Sequence, residues 1–215
     1  MVDGIHHWPL FVGAGLLLNL TPGADMALVA SRSAAQGFKA GAAAALGVGA
    51  GCWVHTGAAA LGLSALMAGS ELAFAALRWV GAAYLVWLGV ALLRSRPSAR
   101  PSAGPAPVTA LRRLFAQGFL TNALNPKVAL FFLAFVPQFI RADAPHKAAA
   151  FVLLGTVFVV NSTLVNLLLA ALVARLSRQF GQRPGAQRLG LWLNRGVGAL
   201  FVALGLRLAL GDPAR

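Results

Sequence analysis

Runs of about 20 consecutive apolar residues dominate this chain, and they constrain its fold more than anything else in it. A stretch of that length matches the hydrocarbon thickness of a bilayer, where the backbone must satisfy its own polar groups and so winds into helix. Six runs qualify, at 8–30, 40–66, 72–93, 114–140, 148–174 and 188–210. Of 215 residues, 59% are hydrophobic and 11% charged, with a mean hydropathy of +0.75, well beyond an ordinary water-soluble domain. The predicted fold class is an all-α integral membrane protein of six transmembrane helices. The first run is too long for a signal-peptide core and lacks a small-x-small cleavage site, so it reads as the first span.

A formal charge of +13, from 18 Lys and Arg against 5 Asp and Glu, would suggest a nucleic-acid partner on a soluble chain. Here the basic residues cluster in short connectors, which points to membrane orientation instead and to no nucleic-acid partner. Arg32 and Lys39 follow the first span. Arg94, Arg96, Arg100, Arg112 and Arg113 follow the third, and Arg175, Arg178, Arg183 and Arg188 the fifth. The opposite side carries Arg141, Lys147 and Arg215. The odd-numbered connectors are therefore expected in the cytoplasm and both termini outside.

The stretch 94–113, rich in Pro, Ser and Arg, reads as a cytoplasmic linker between a three-helix unit at 1–93 and another at 114–215. Three spans per unit is an odd number, so two similar units insert with opposite orientation, as inverted-topology repeats do. Pro126 lies 104 residues after Pro22, and Gly155 lies 104 after Gly51. Six unrelated helices would also accommodate these single matches.

Span one contains Asn19-Leu-Thr21-Pro22-Gly23-Ala-Asp25, and span four Thr121-Asn122-Ala-Leu-Asn125-Pro126-Lys127. A helix does not run smoothly through Pro22-Gly23 or Pro126, because proline removes a backbone donor, clashes with the preceding turn and restricts the residue before it. Each proline alone reads as a packing kink. Paired breaks beside charges, at matching places in two halves, point to a transporter binding site. Asp25 is the one carboxylate deep within a span, at a cost of about +2.5 to +3.5 kcal/mol for an acid at a helix centre. It reads as a proton-coupling or substrate-binding group, or as the cap of the half-helix after Gly23. Lys127 lies at matching depth, and if the breaks face each other the two are expected to come within ion-pair distance. Thr21, Asn19, Asn122 and Asn125 complete the expected site.

Span two carries Gly37, Gly41 and Gly49, with Gly47 and Gly51 in a second register, a pattern that lets helices approach closely and is compatible with a homodimer. His55 and Thr56 follow and are candidates to line a cavity; His55 also reads as a hydrogen-bonded core histidine or a proton relay. Asn161, Ser162 and Asn166, beside Thr163, make span five polar at its centre, either lining an aqueous cavity or bonding across helices. Arg78, Asn194 and Arg195 read as anchors near span ends. Cys52 is the single cysteine, and the chain has no zinc-ligand spacing, phosphate loop or nucleophile elbow, so no metal, cofactor or enzyme is expected.

Together these segments resemble the LysE/RhtB family of amino-acid exporters along nearly the whole chain. The family's first-span signature Asn-x-Thr-Pro-Gly-Pro-Asp is matched at Asn19, Thr21, Pro22, Gly23 and Asp25, with Ala24 in place of the second proline. Its later spans look like GFKAGAAAALGVGAG, VGAAYLVWLGVALLR and FLTNALNPKVALFFLAFVPQF. The resemblance implies an exporter of amino acids or close derivatives in the bacterial inner membrane, driven by the proton gradient, nearer the homoserine, threonine and leucine branch than the lysine branch. A passive channel or lipid-handling protein without ion coupling is the competing reading. Reporter fusions should place the 94–113 linker in the cytoplasm and both termini outside; a cytoplasmic tail would refute this orientation.

Overall fold

The computed structural model describes residues 4–63 and 109–180, with isolated positions between 79 and 94 and between 199 and 206. The spans expected at 72–93 and 188–210, most of the linker, and Arg78, Asn194 and Arg195 lie outside the described residues. Within them the protein is helical: α1 (Trp8–Leu20), α2 (Ala24–Gln36), α3 (Phe38–Ala58), α4 (Leu111–Ala123), α5 (Pro126–Ala134) and α6 (Lys147–Phe180). A π turn, Ala59–Leu63, extends α3, and a 3-10 turn, Val136–Phe139, follows α5. Among the described residues the β structure is one isolated antiparallel bridge, Ile5 to Ile140.

The breaks fall where proline dictates. Helix α1 ends one residue before Thr21, and α2 resumes after Pro22-Gly23 at an angle of 54°. Helix α4 ends at Ala123 and α5 begins on Pro126, with a bend of 47°. Proline is tolerated in the first turn of α5 because that amide has no helical partner anyway. The stretches Phe38–Gly62 and Lys147–Ser177 are each long and apolar enough to cross a membrane, and each bent pair passes the same test as one broken span. That gives up to four crossings among the described residues.

Helix α6 shows how the layer is sided. Val160, Leu164, Leu168, Leu172 and Leu176 recur every fourth residue and face outward, whereas Phe151, Leu154, Phe158, Ser162, Asn166 and Ala170 are buried. Where α1, α5 and α6 converge, Phe11, Phe131, Phe135, Phe139 and Phe158 form an aromatic plug, with Phe131 and Phe158 ring centres 4.8 Å apart and Phe11 and Phe139 5.2 Å. The bridge closes the same end: the Ile5 segment donates from His6 N to Phe139 O at 3.0 Å and accepts at Gly4 O from Arg141 N at 2.8 Å. At the opposite end Arg32 Nη2 donates to Gln117 Oε1 at 3.1 Å, and Thr109 N to Gln36 Oε1 at 2.9 Å, joining α2 to α4.

Helix α3 is the packing hub, and its glycines face three partners. Gly47 and Gly51 lie against the Phe115 and Phe119 carbonyls of α4, and Gly118 of α4 lies reciprocally against the Ala44 carbonyl. Because 47 meets 115 and 51 meets 119, α3 and α4 run parallel. Gly41 meets Ser33 of α2 and Ala170 of α6, Gly49 meets Thr163, and Thr56 meets Gly155, so α3 and α6 run antiparallel. Gly37 belongs to neither stripe: at φ 82° it turns the chain from α2 into α3, a conformation costly for any side chain. The glycine faces compatible with a homodimer are thus covered within the chain itself.

Gly47→Leu and Gly118→Leu should each lower stability by at least the ~1–3 kcal/mol typical of overpacking, since backbone rather than a flexible side chain stands in the way. Gly13→Ala, where nothing lies within 4 Å, should be neutral or better. Thermal unfolding of the detergent-purified variants reads the difference.

Candidate functional site

The two breaks meet. Ending α1 at Leu20 leaves Thr21 O without a helical donor and Leu18 O with only the shared cap amide of Thr21, and Lys127, the second residue of α5, serves both: its Nζ donates to Leu18 O at 3.3 Å and Thr21 O at 3.2 Å. A cation at a helix C-terminus also meets the negative end of the helix dipole. Gly23 makes the approach possible, because a Cβ there would stand 3.2 Å from Lys127 Nζ.

Asp25 lies in the first turn of α2, where the dipole favours an acid, but it does not cap that helix; Gly23 is the N-cap and offers no side chain. Its carboxylate is held instead by the other break. Asn122 Nδ2 donates to Asp25 Oδ2 at 2.9 Å and Asn125 Nδ2 to the same oxygen at 3.0 Å. Asn125 is also the N-cap of α5, its Oδ1 accepting from Lys127 N at 3.0 Å. The Asp25–Lys127 ion pair expected from the sequence is therefore absent: among the described residues the one ion pair joins Arg141 to exposed Asp143. The reason is local. The freed carbonyls of α1 claim the ammonium, the paired asparagines claim the carboxylate, and Asn125 links the two.

Around these groups lies a small cavity, about 10 Å³, the room of one water molecule. Asn19, Thr21, Gly23, Asp25, Lys127 and Asn166 are in its wall, with Ser162 beside them. Three buried polar atoms on this wall have no hydrogen-bond partner: Asp25 Oδ1, Asn19 Nδ2 and Asn166 Oδ1. Buried orphans of this kind are rare in native proteins, and one water in the adjoining cavity is the least that would serve them. Asn166 is held in place by donating Nδ2 to Ser162 O at 2.9 Å.

The remaining sequence candidates fall elsewhere. Thr21 turns its hydroxyl back onto Leu17 O, so its contribution is its own carbonyl. Thr56 bonds Cys52 O on its own helix and packs on Gly155, and Asn161, one residue before Ser162, does not line the cavity. Pro22 and Pro126 are exposed and act through the backbone. His55 is buried, with Nε2 2.9 Å from Asn122 O. That a break frees carbonyls follows from the sequence, but which ones, here those of Leu18 and Thr21, leaves no mark in the residue pattern.

The family described as LysE type translocator matches residues 16–212. The chain belongs to the LysE-type translocators. It is accordingly a transporter and not an enzyme, and a membrane protein. An uncharacterized membrane protein of Pseudomonas aeruginosa is 34% identical to this translocator, covering 94% of each chain. A homoserine/homoserine lactone efflux protein of Salmonella typhimurium is 31% identical over 94% of this chain and 95% of its own. A leucine efflux protein of Salmonella typhi is 29% identical over 95% of each. No solved structure matches.

Asn125→Ala in this translocator removes one of the two donors to Asp25 and the cap of α5 together. It should lower stability by about 1–3 kcal/mol, readable as a drop in the thermal midpoint of the purified protein with the helical signal intact.

Proposed function

We propose that this translocator exports amino acids or close derivatives from the bacterial cytoplasm across the inner membrane by proton antiport, through alternating access at the Asp25–Lys127 site. The observation that carries the reading is the set of unpartnered buried atoms, Asp25 Oδ1, Asn166 Oδ1 and Asn19 Nδ2, converging on a cavity beside Lys127. These are the two complements of a zwitterion. Two acceptors suit an ammonium; Asn19, Lys127 and the amides opening α2, which no side chain caps, suit a carboxylate. The efflux proteins among the relatives supply the substrate class and the direction.

Coupling follows from competition. An ammonium and a proton both favour the same Asp25 carboxylate, so loading one displaces the other, provided each binds better to one orientation of the carrier. Asp25 takes its proton from outside, the substrate leaves, and the proton departs inward. A cavity of about 10 Å³ has no room for an amino acid, and both ends are closed, by the phenylalanine plug on one side and the Arg32–Gln117 and Gln36–Thr109 ties on the other. The small cavity between two closed ends of the described residues supports reading this as an occluded intermediate, from which each end would open in turn.

Inverted three-helix halves, 1–93 and 114–215, are supported by the matching breaks and by the reciprocal Gly49–Thr163 and Gly155–Thr56 contacts across α3 and α6. The parallel course of α3 and α4 supports an odd number of crossings between them, which agrees with a span at 72–93. With the 94–113 linker in the cytoplasm, the plug lies at the outer face.

Asp25→Asn and Lys127→Met, each shown to insert normally, should abolish gradient-driven efflux from cells or proteoliposomes; wild-type rates in both would sink the scheme. A screen for amino acids whose growth toxicity is relieved by expression names the substrate.

A further inference from the structure

We propose that His55 is a second protonatable group of the transport cycle, coupled to Asp25 through Asn122. The inference rests on the antiport reading and adds to it a residue outside the Asp25–Lys127 cavity. A carbonyl only accepts, so the 2.9 Å contact from His55 Nε2 to Asn122 O fixes the proton on Nε2 and leaves Nδ1 without a hydrogen bond. The same asparagine donates from Nδ2 to Asp25 Oδ2. One residue, 1% exposed, is thus gripped by the histidine through its backbone and by the acid through its side chain.

The surroundings of the imidazole are an acceptor and an aromatic face. Asn122 O lies in the last turn of α4, the negative end of that half-helix, where a cation is stabilised. The ring of Phe132 stacks on His55 at 6.1 Å between centres and 27° between planes, an arrangement that suits an imidazolium over a π face. Gly51, one turn earlier on α3, leaves room for Asn122 to come this close. His55 also lines a second cavity, about 250 Å³, walled by Ala58, Ala59, Gly62, Phe132 and Leu133, which gives a proton carrier room to reach it.

The charged and titratable groups nearby are few. They are Asp25 on α2 across Asn122, Lys127 on α5 beyond Asn125, and Cys52 one turn back on α3; α4 and α6 contribute none to either cavity among the described residues. In the proposal, an ionised Asp25 across Asn122 is what holds a proton on His55. A proton or ammonium arriving at Asp25 removes that attraction and releases it. In the proposed cycle the two groups hold a proton in alternation, Asp25 exchanging through its own cavity and His55 Nδ1 through the 250 Å³ one, while Nε2–H stays on the Asn122 carbonyl.

The test compares wild type with His55→Gln, which keeps an amide donor for Asn122 O but does not titrate, in proteoliposomes with labelled L-homoserine as the probe. Two rates are read, net efflux driven by a pH gradient and homoserine–homoserine exchange without one. The variant should lose about tenfold in driven efflux, and the pH dependence between 5.5 and 7.5, while keeping exchange within about twofold. Equal loss of both rates in an inserted variant would make His55 merely structural, and an unchanged pH profile would remove it from the cycle; either overturns the proposal. If the glutamine variant fails to insert, His55→Asn takes its place, with the same two rates measured and the same outcomes for and against. Wild-type export indifferent to the gradient overturns the antiport reading along with this one.

Discussion

Backbone carbonyls released by a broken helix have no water to turn to inside a bilayer, and an unsatisfied one costs several kcal/mol. The site follows from that constraint. The break in α1 frees Thr21 O and leaves Leu18 O only a shared amide, and the side-chain donor to both is Lys127, from the other break. The carboxylate on α2 is satisfied in turn by amides at the end of α4 and the start of α5. Each break supplies what the other lacks, so neither half-helix pair is complete alone.

Holding the two charges on neutral groups rather than on each other has energetic meaning. A buried ion pair loses about 3 to 5 kcal/mol when one partner is removed, because the other is stranded. Here Asp25 keeps two asparagine donors and Lys127 two carbonyls whatever happens to the opposite charge. In the proposed cycle a proton or an ammonium would then reach Asp25 Oδ1 without a salt bridge having to break first.

Much of this was legible in the residues. The apolar runs located α1 with α2, α3, α4 with α5, and α6 to within a few positions, because length and hydropathy alone decide that a segment spans. Both breaks were legible because proline acts on its own neighbours, without help from the fold. The partner choice was not. Asp25 and Lys127 read as a pair since opposite charges at equal depth attract, but hydrogen bonds to backbone depend on where a helix ends in space, and sequence records side chains only. Gly37 misled in a similar way: it shares the spacing of Gly41 and Gly49, yet its positive φ makes it a corner. Thr56, expected to line a cavity, turned out to be the surface that Gly155 packs on.

The seam between α3 and α6 is made of glycine against threonine and alanine, and the polar groups along it point home: Thr56 Oγ1 bonds Cys52 O, Asn166 Nδ2 bonds Ser162 O and Thr156 Oγ1 bonds Val152 O, each within its own helix. Those bonds are unaffected when the helices shift relative to one another, and no long side chain has to change rotamer. Among the described residues such a joint carries no polar bond across it, whereas α3 and α4 meet backbone to backbone at Gly47, Gly51 and Gly118. In the alternating-access cycle proposed above, α3 and α4 would then travel as one arm, carrying Asn122 past the helix that holds Asn166.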